Sequence, residues 1–147
     1  GEDSDYLPHN YPRNCVVYTG THDNDTLCGW YKVLDPEDLK LSQKYMNNAN
    51  TPKRQIHWDF IRLALASVAD LCIIPLQDYL GLGKEARINT PSTLGGNWVY
   101  RLPKKTFDAA KIRKIRRMTE ICARLPKVRK EAEEEKETEV TTDTKER

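Results

Sequence analysis

No stretch of this 147-residue chain approaches the roughly 18–20 consecutive apolar residues of a membrane-spanning helix, so no membrane partner is expected. Its most continuous apolar run is the six residues Leu71–Leu76. The beginning, GEDSDYLPHNYPRN, is polar and acidic, unlike a secretory signal or a transit peptide, and secretion is not expected. Because it does not start with Met, further sequence is expected ahead of it. The four cysteines, Cys15, Cys28, Cys72 and Cys122, include no C-x-x-C pair. That spacing argues against a disulfide framework and a structural zinc, and for a reducing compartment. The Gly81-Leu82-Gly83 step lacks the third glycine and the Lys-Ser/Thr pair of phosphate-cradling loops.

A strong net charge is also missing, but only in the total of +2. Residues 1–100 carry 9 Lys and Arg against 12 Asp and Glu, residues 101–130 carry 12 against 2, and residues 131–147 carry 3 against 8. A basic block is thus followed by an acidic tail with few apolar residues, and a disordered tail is expected over 127–147.

What is present is a repeated order. Cys15–Tyr18 reads as a short buried strand. Asp35 and Pro36 form a helix start, and Pro52 opens a second helical pattern running to Leu71. That pattern has apolar stripes at Ile56, Phe60 and Leu63 and at Ile61, Leu65 and Val68. Leu71–Leu76 reads as a strand covered on both faces, and residues 81–98 as a long loop. Residues 107–125 read as an amphipathic helix capped by Asp108, with Pro126 ending or kinking it. Buried strands alternating with amphipathic helices predict an α/β fold with parallel strands, whose ligand-binding loops lie at the strands' carboxyl ends.

Two polar clusters stand at those ends. His22, Asp23, Asn24 and Asp25 follow the first strand; they suit a grip on vicinal sugar hydroxyls, a metal site, an oriented base, or simply a capped turn. Gln77 and Asp78 follow the second, and Arg87 and Asn89 beyond them could bind a polyol. Trp98 and Tyr100 could stack on sugar faces or fill a core. The basic block Lys104–Arg129 leaves open a non-catalytic module that binds nucleic acid or an acidic partner.

The blocks NYPRNCVVYTGTHDNDTLCGWY and HWDFIRLALASVADLCIIPLQDYLGLGKEARINTPSTLGGNWVYRL resemble the 4-α-glucanotransferase family, called amylomaltase in bacteria and disproportionating enzyme in plants and algae. The likeness runs from Tyr6 to Leu102, with Tyr31 and Tyr100 where many members carry Trp and Ser92 where Gly is common. It implies the last part of a (β/α)8 TIM barrel over residues 1–126, holding strands seven and eight with their helices and a final basic helix. It also implies retaining transfer of α-1,4-glucan segments to an acceptor 4-hydroxyl, with maltooligosaccharides and starch- or glycogen-derived glucans as partners. Nucleic acid is not among the implied partners, and neither a cofactor nor a metal is implied. Carried over by motif, Asp23 stabilises the transition state, His22 assists it, and Asn24 and Asn89 bind substrate. The family's nucleophile and acid/base follow earlier strands and fall on no residue of this sequence; Asp78 and Glu85 are not substitutes for them.

Overall fold

The computed structural model describes residues 3–126. The tail expected over 127–147 lies outside the described residues. Two short strands, β1 (Val16–Tyr18) and β2 (Leu71–Ile73), pair in parallel with Val17 opposite Cys72. Between them run α1 (Leu27–Lys32), α2 (Pro36–Met46) and α3 (Ile56–Ala66); α4 (Leu76–Tyr79) and α5 (Ala109–Ile121) follow β2.

The helix ends are set by local chemistry. Asp35 accepts from the Glu37 N–H with Pro36 in the first turn, and Asn47 closes α2 in the left-handed region at φ 51°. Asp108 accepts from the Lys111 N–H at 2.8 Å, as the sequence led one to expect. Two helices are shorter than their apolar patterns. Pro52 leads a 3-10 turn, Lys53–Gln55, before α3 begins, and α3 stops at Ala66 because Ser67 turns extended. There the Ser67 hydroxyl donates to the Ala64 carbonyl at 2.8 Å, and Val68 is left exposed. The terminal helix ends at Ile121, five residues before Pro126. Arg124 there donates to the carbonyls of Leu65, Ser67 and Ala69, which pins the segment just after α5 to the end of α3 and the residues that follow it.

The Leu71–Leu76 run is not one strand. β2 keeps three residues, and after Pro75 the chain turns into α4. Nor is it covered on both faces. Val17 and Cys72 pack on Ala64 and Ala69 beneath α3. Val16, Tyr18, Leu71 and Ile73, which alternate with them, remain 41–51% exposed. Alternation puts every second side chain on the opposite face, and no described element covers that face.

His57, in the first turn of α3, is buried. Gly81 permits its close approach: at φ +64°, a Cβ there would lie 2.7 Å from His57 Cε1. Burial, reinforced by the Lys114 charge, holds the imidazole below its usual pKa. The four thiols are all free, as the cysteine spacing suggested. Burial pushes Cys28 and Cys72 upward.

Candidate functional site

The loop leaving β1 is fastened at its base and open at its tip. Its fastener is Asp78 in α4, only 2% exposed. One carboxylate oxygen accepts from the Thr19 hydroxyl at 2.6 Å and the other from the Leu27 N–H at 2.8 Å. Asp78 therefore ties the end of β1 and the start of α1 to the segment after β2. Burial raises its pKa, and the bonds from Thr19 and Leu27 pull it back in part. Thr26 then caps α1 by accepting from the Gly29 N–H at 3.1 Å. Gly29 carries no side chain because Asp25 lies against it; a Cβ would come within 2.5 Å of Asp25 Oδ1.

The tip is a turn built by Asn24, whose Oδ1 accepts from both the N–H and the hydroxyl of Thr21, at 2.7 and 2.8 Å. The capped-turn reading of the cluster is thus fulfilled at Asn24. Asp23 is different. Its side chain is half exposed, and its Oδ1 accepts from Asn89 Nδ2 at 2.6 Å and stands 3.3 Å from His22 Nε2. Oδ2 holds no bond to a described residue. His22 lies against the ring of Trp98, centroids 5.1 Å apart, and Trp98 is 58% exposed. Trp98 is therefore not core. Its backbone N–H donates to the Ile88 carbonyl at 2.8 Å, which folds the long loop back on itself.

Structure thus joins His22, Asp23 and Asn89, which stand 67 positions apart at their extremes, into one exposed cluster with Trp98 and Arg87. Of the two places open to Trp98 in the sequence, a sugar-stacking face or a core, the exposed position leaves the first. Tyr100 is half-buried and Glu85 folds back to accept from the Gly83 N–H at 2.9 Å. Ser92 sits at φ 61°, a left-handed backbone that glycine adopts without steric cost. Among the described residues no three His, Cys, Asp or Glu side chains gather as a metal cluster.

Residues 1–106 match the profile of the glycoside hydrolase group described as 4-alpha-glucanotransferase. The chain belongs to the 4-alpha-glucanotransferase family. It is 50% identical over 109 residues to the chloroplastic/amyloplastic 4-alpha-glucanotransferase of Arabidopsis thaliana, covering 74% of this chain and 19% of that protein. To the Clostridium butyricum 4-alpha-glucanotransferase it is 46% identical over 120 residues, or 81% of this chain and 24% of the other. Its fold is similar to that of the Streptococcus agalactiae amylomaltase solved with acarbose, at a TM-score of 0.77 and 33% identity over 83% of this chain and 24% of that one. The chain spans about a fifth to a quarter of the length of these glucanotransferases.

A hybrid in which this chain replaces its matching segment in the Arabidopsis enzyme gives the site a full glucanotransferase frame. In it, Asp78→Ala leaves the Leu27 N–H and the Thr19 hydroxyl without their buried acceptor. The expected loss is about 2–4 kcal/mol of stability, read as a lower urea midpoint. An unchanged midpoint would show that other contacts fasten the β1 loop.

Proposed function

We propose that this chain is the C-terminal portion, residues 1–126, of a retaining 4-α-glucanotransferase barrel, with β1 and β2 as its seventh and eighth strands and 127–147 as an added charged tail. The parallel pairing of β1 with β2 across intervening helices supports that placement. The observation that carries the function is the Asp23 carboxylate, half exposed and held at one oxygen by Asn89 and His22 while the other holds no bond to a described residue.

In such a reaction an enzyme carboxylate attacks the anomeric carbon as the glycosidic C–O bond breaks, and a carboxylic acid protonates the departing oxygen. The acceptor 4-hydroxyl then attacks the glycosyl-enzyme, its proton passes to the second carboxylate, and the first is released. Both groups lie outside these residues. Asp23 accepts hydrogen bonds from hydroxyls of the distorted, oxocarbenium-like ring, and those bonds strengthen as positive charge develops. His22, braced by Trp98, and Nδ2 of Asn24 reach neighbouring hydroxyls; the exposed face of Trp98 offers a stacking surface to a glucosyl ring. Maltooligosaccharides and starch- or glycogen-derived glucans are the proposed partners, supported by the acarbose complex of the amylomaltase neighbour. Plastid stroma or cytoplasm is the proposed compartment, the former supported by the chloroplastic/amyloplastic plant relative.

The nucleic-acid reading of Lys104–Arg129 finds no support in the described residues. Lys111 is paired with Asp108, Arg116 with Glu120, and Arg124 is engaged with three carbonyls. Lys114 lies 3.9 Å over the Trp58 ring. Much of the basic block serves the fold.

The hybrid enzyme tests the proposal. Given maltotriose, it is expected to form glucose and maltopentaose, and to keep that activity after exhaustive chelation because carboxylates carry the chemistry. A folded hybrid that makes no longer maltodextrin, or one whose activity vanishes with chelation and returns with metal, would overturn it.

A further inference from the structure

The loop after β1 and the loop after α4 are brought together by one side chain that is neither nucleophile nor acid. Arg87 donates through Nη2 to the backbone carbonyl of Asp23 at 2.7 Å and through Nε to the backbone carbonyl of Asn89 at 2.8 Å. The side chains of those same two residues meet at 2.6 Å. The guanidinium and the Asn89–Asp23 bond therefore close a small cycle in which the fork fixes both backbones and the amide fixes the carboxylate. The Arg87 backbone is itself held: its N–H donates to the Lys84 carbonyl at 3.1 Å, at the end of a 3-10 turn, Lys84–Ala86, whose Ala86 is 1% exposed. A buried anchor thus extends a rigid planar fork into an exposed loop pair.

We propose that Arg87 is a positioning residue that sets the Asp23 carboxylate for transition-state binding, acting through Asn89. On this inference Asn89 serves Asp23 before it serves substrate. The inference rests on the glucanotransferase reading, since it assigns Asp23 the role in question. An exposed carboxylate on a loop without such a clasp samples many rotamers, and small misplacements of a group that acts only in the transition state lower turnover steeply. Lysine keeps the charge but is a point donor on a flexible stem and does not reproduce the planar two-carbonyl fork.

In the hybrid enzyme, Arg87→Lys is expected to lower kcat for maltotriose disproportionation about tenfold, with KM changed less than about twofold and the thermal midpoint preserved. The deciding measurement is a double-mutant cycle. In an Asp23→Asn background, Arg87→Lys is expected to change the residual rate less than about twofold, because the group it positions has lost its charge. An equal loss in both backgrounds would assign Arg87 a general structural role and overturn the proposal, as would an unchanged kcat in the single variant. An unsubstituted hybrid that folds yet shows no transfer would instead sink the glucanotransferase reading on which the proposal rests.

Discussion

Asp23→Asn in the hybrid enzyme is expected to reduce maltotriose disproportionation by at least about a hundredfold, the scale of removing one group that binds a transition state. The substitution keeps size and one acceptor oxygen, but it removes the negative charge opposite the developing oxocarbenium ion. It also replaces one of the two carboxylate oxygens, either the one facing Asn89 and His22 or the open one, with an amide NH2. Stability is expected to change little, since the Asp23 side chain is half exposed and belongs to the tip of the loop, whereas Asp78 fastens its base. kcat is the parameter expected to fall, because the lost interaction is made mainly in the transition state. Near-normal turnover would reduce the His22–Asp25 cluster to the turn that Asn24 builds.

The 147-residue chain assayed alone is expected to produce no glucose and no longer dextrin from maltotriose, a complete loss against the hybrid. Retaining transfer requires two carboxyl groups about 5 Å apart on opposite sides of the scissile bond. Among the described residues the carboxylates near Asp23 are committed elsewhere. Asp25 is pressed against Gly29 and accepts from the Thr26 N–H, Asp78 is buried with two donors, and Glu85 is folded onto the Gly83 N–H. The chain alone also presents a bare apolar face of Val16, Tyr18, Leu71 and Ile73, on a parallel pair of three-residue strands with open edges. Marginal folding is therefore expected, checked by circular dichroism and by hydrogen exchange at β1 and β2. Transfer products from chain free of any longer enzyme would show that a pair of these carboxylates had been wrongly dismissed.

Local grammar carried most of what was legible beforehand. The caps at Asp35 and Asp108 and the β1 strand stand where side-chain chemistry and apolar runs put them. α1 and α4 escaped notice because they are six and four residues long, too short to display a helical period. α4 was further hidden by the Leu71–Leu76 run, in which an apolar strand and the helix after Pro75 share one composition. The ends of α3 and α5 were overestimated for a related reason. Apolar periodicity continued past Ala66 and Ile121, but Ser67 turns extended and Ala123 turns left-handed at φ 55°, which ends the two helices.

By itself, then, the sequence determined the order of the two strands and the three longer helices, the free thiols, the family and the motif that carries Asp23, because each depends on residues adjacent in the chain or on a continuous run of matches. Tertiary structure alone decided what each polar residue touches. Asp23 and Asp25 are chemically identical and two positions apart, yet one is turned outward to Asn89 while the other packs against Gly29. Asp78 became a buried fastener, Arg87 a clasp and Trp98 an exposed neighbour of His22, each through partners more than 50 residues distant. The pairing of β1 with β2 brings those partners together, and hydrogen-bond geometry over a few ångströms, invisible in residue order, then sets the contacts.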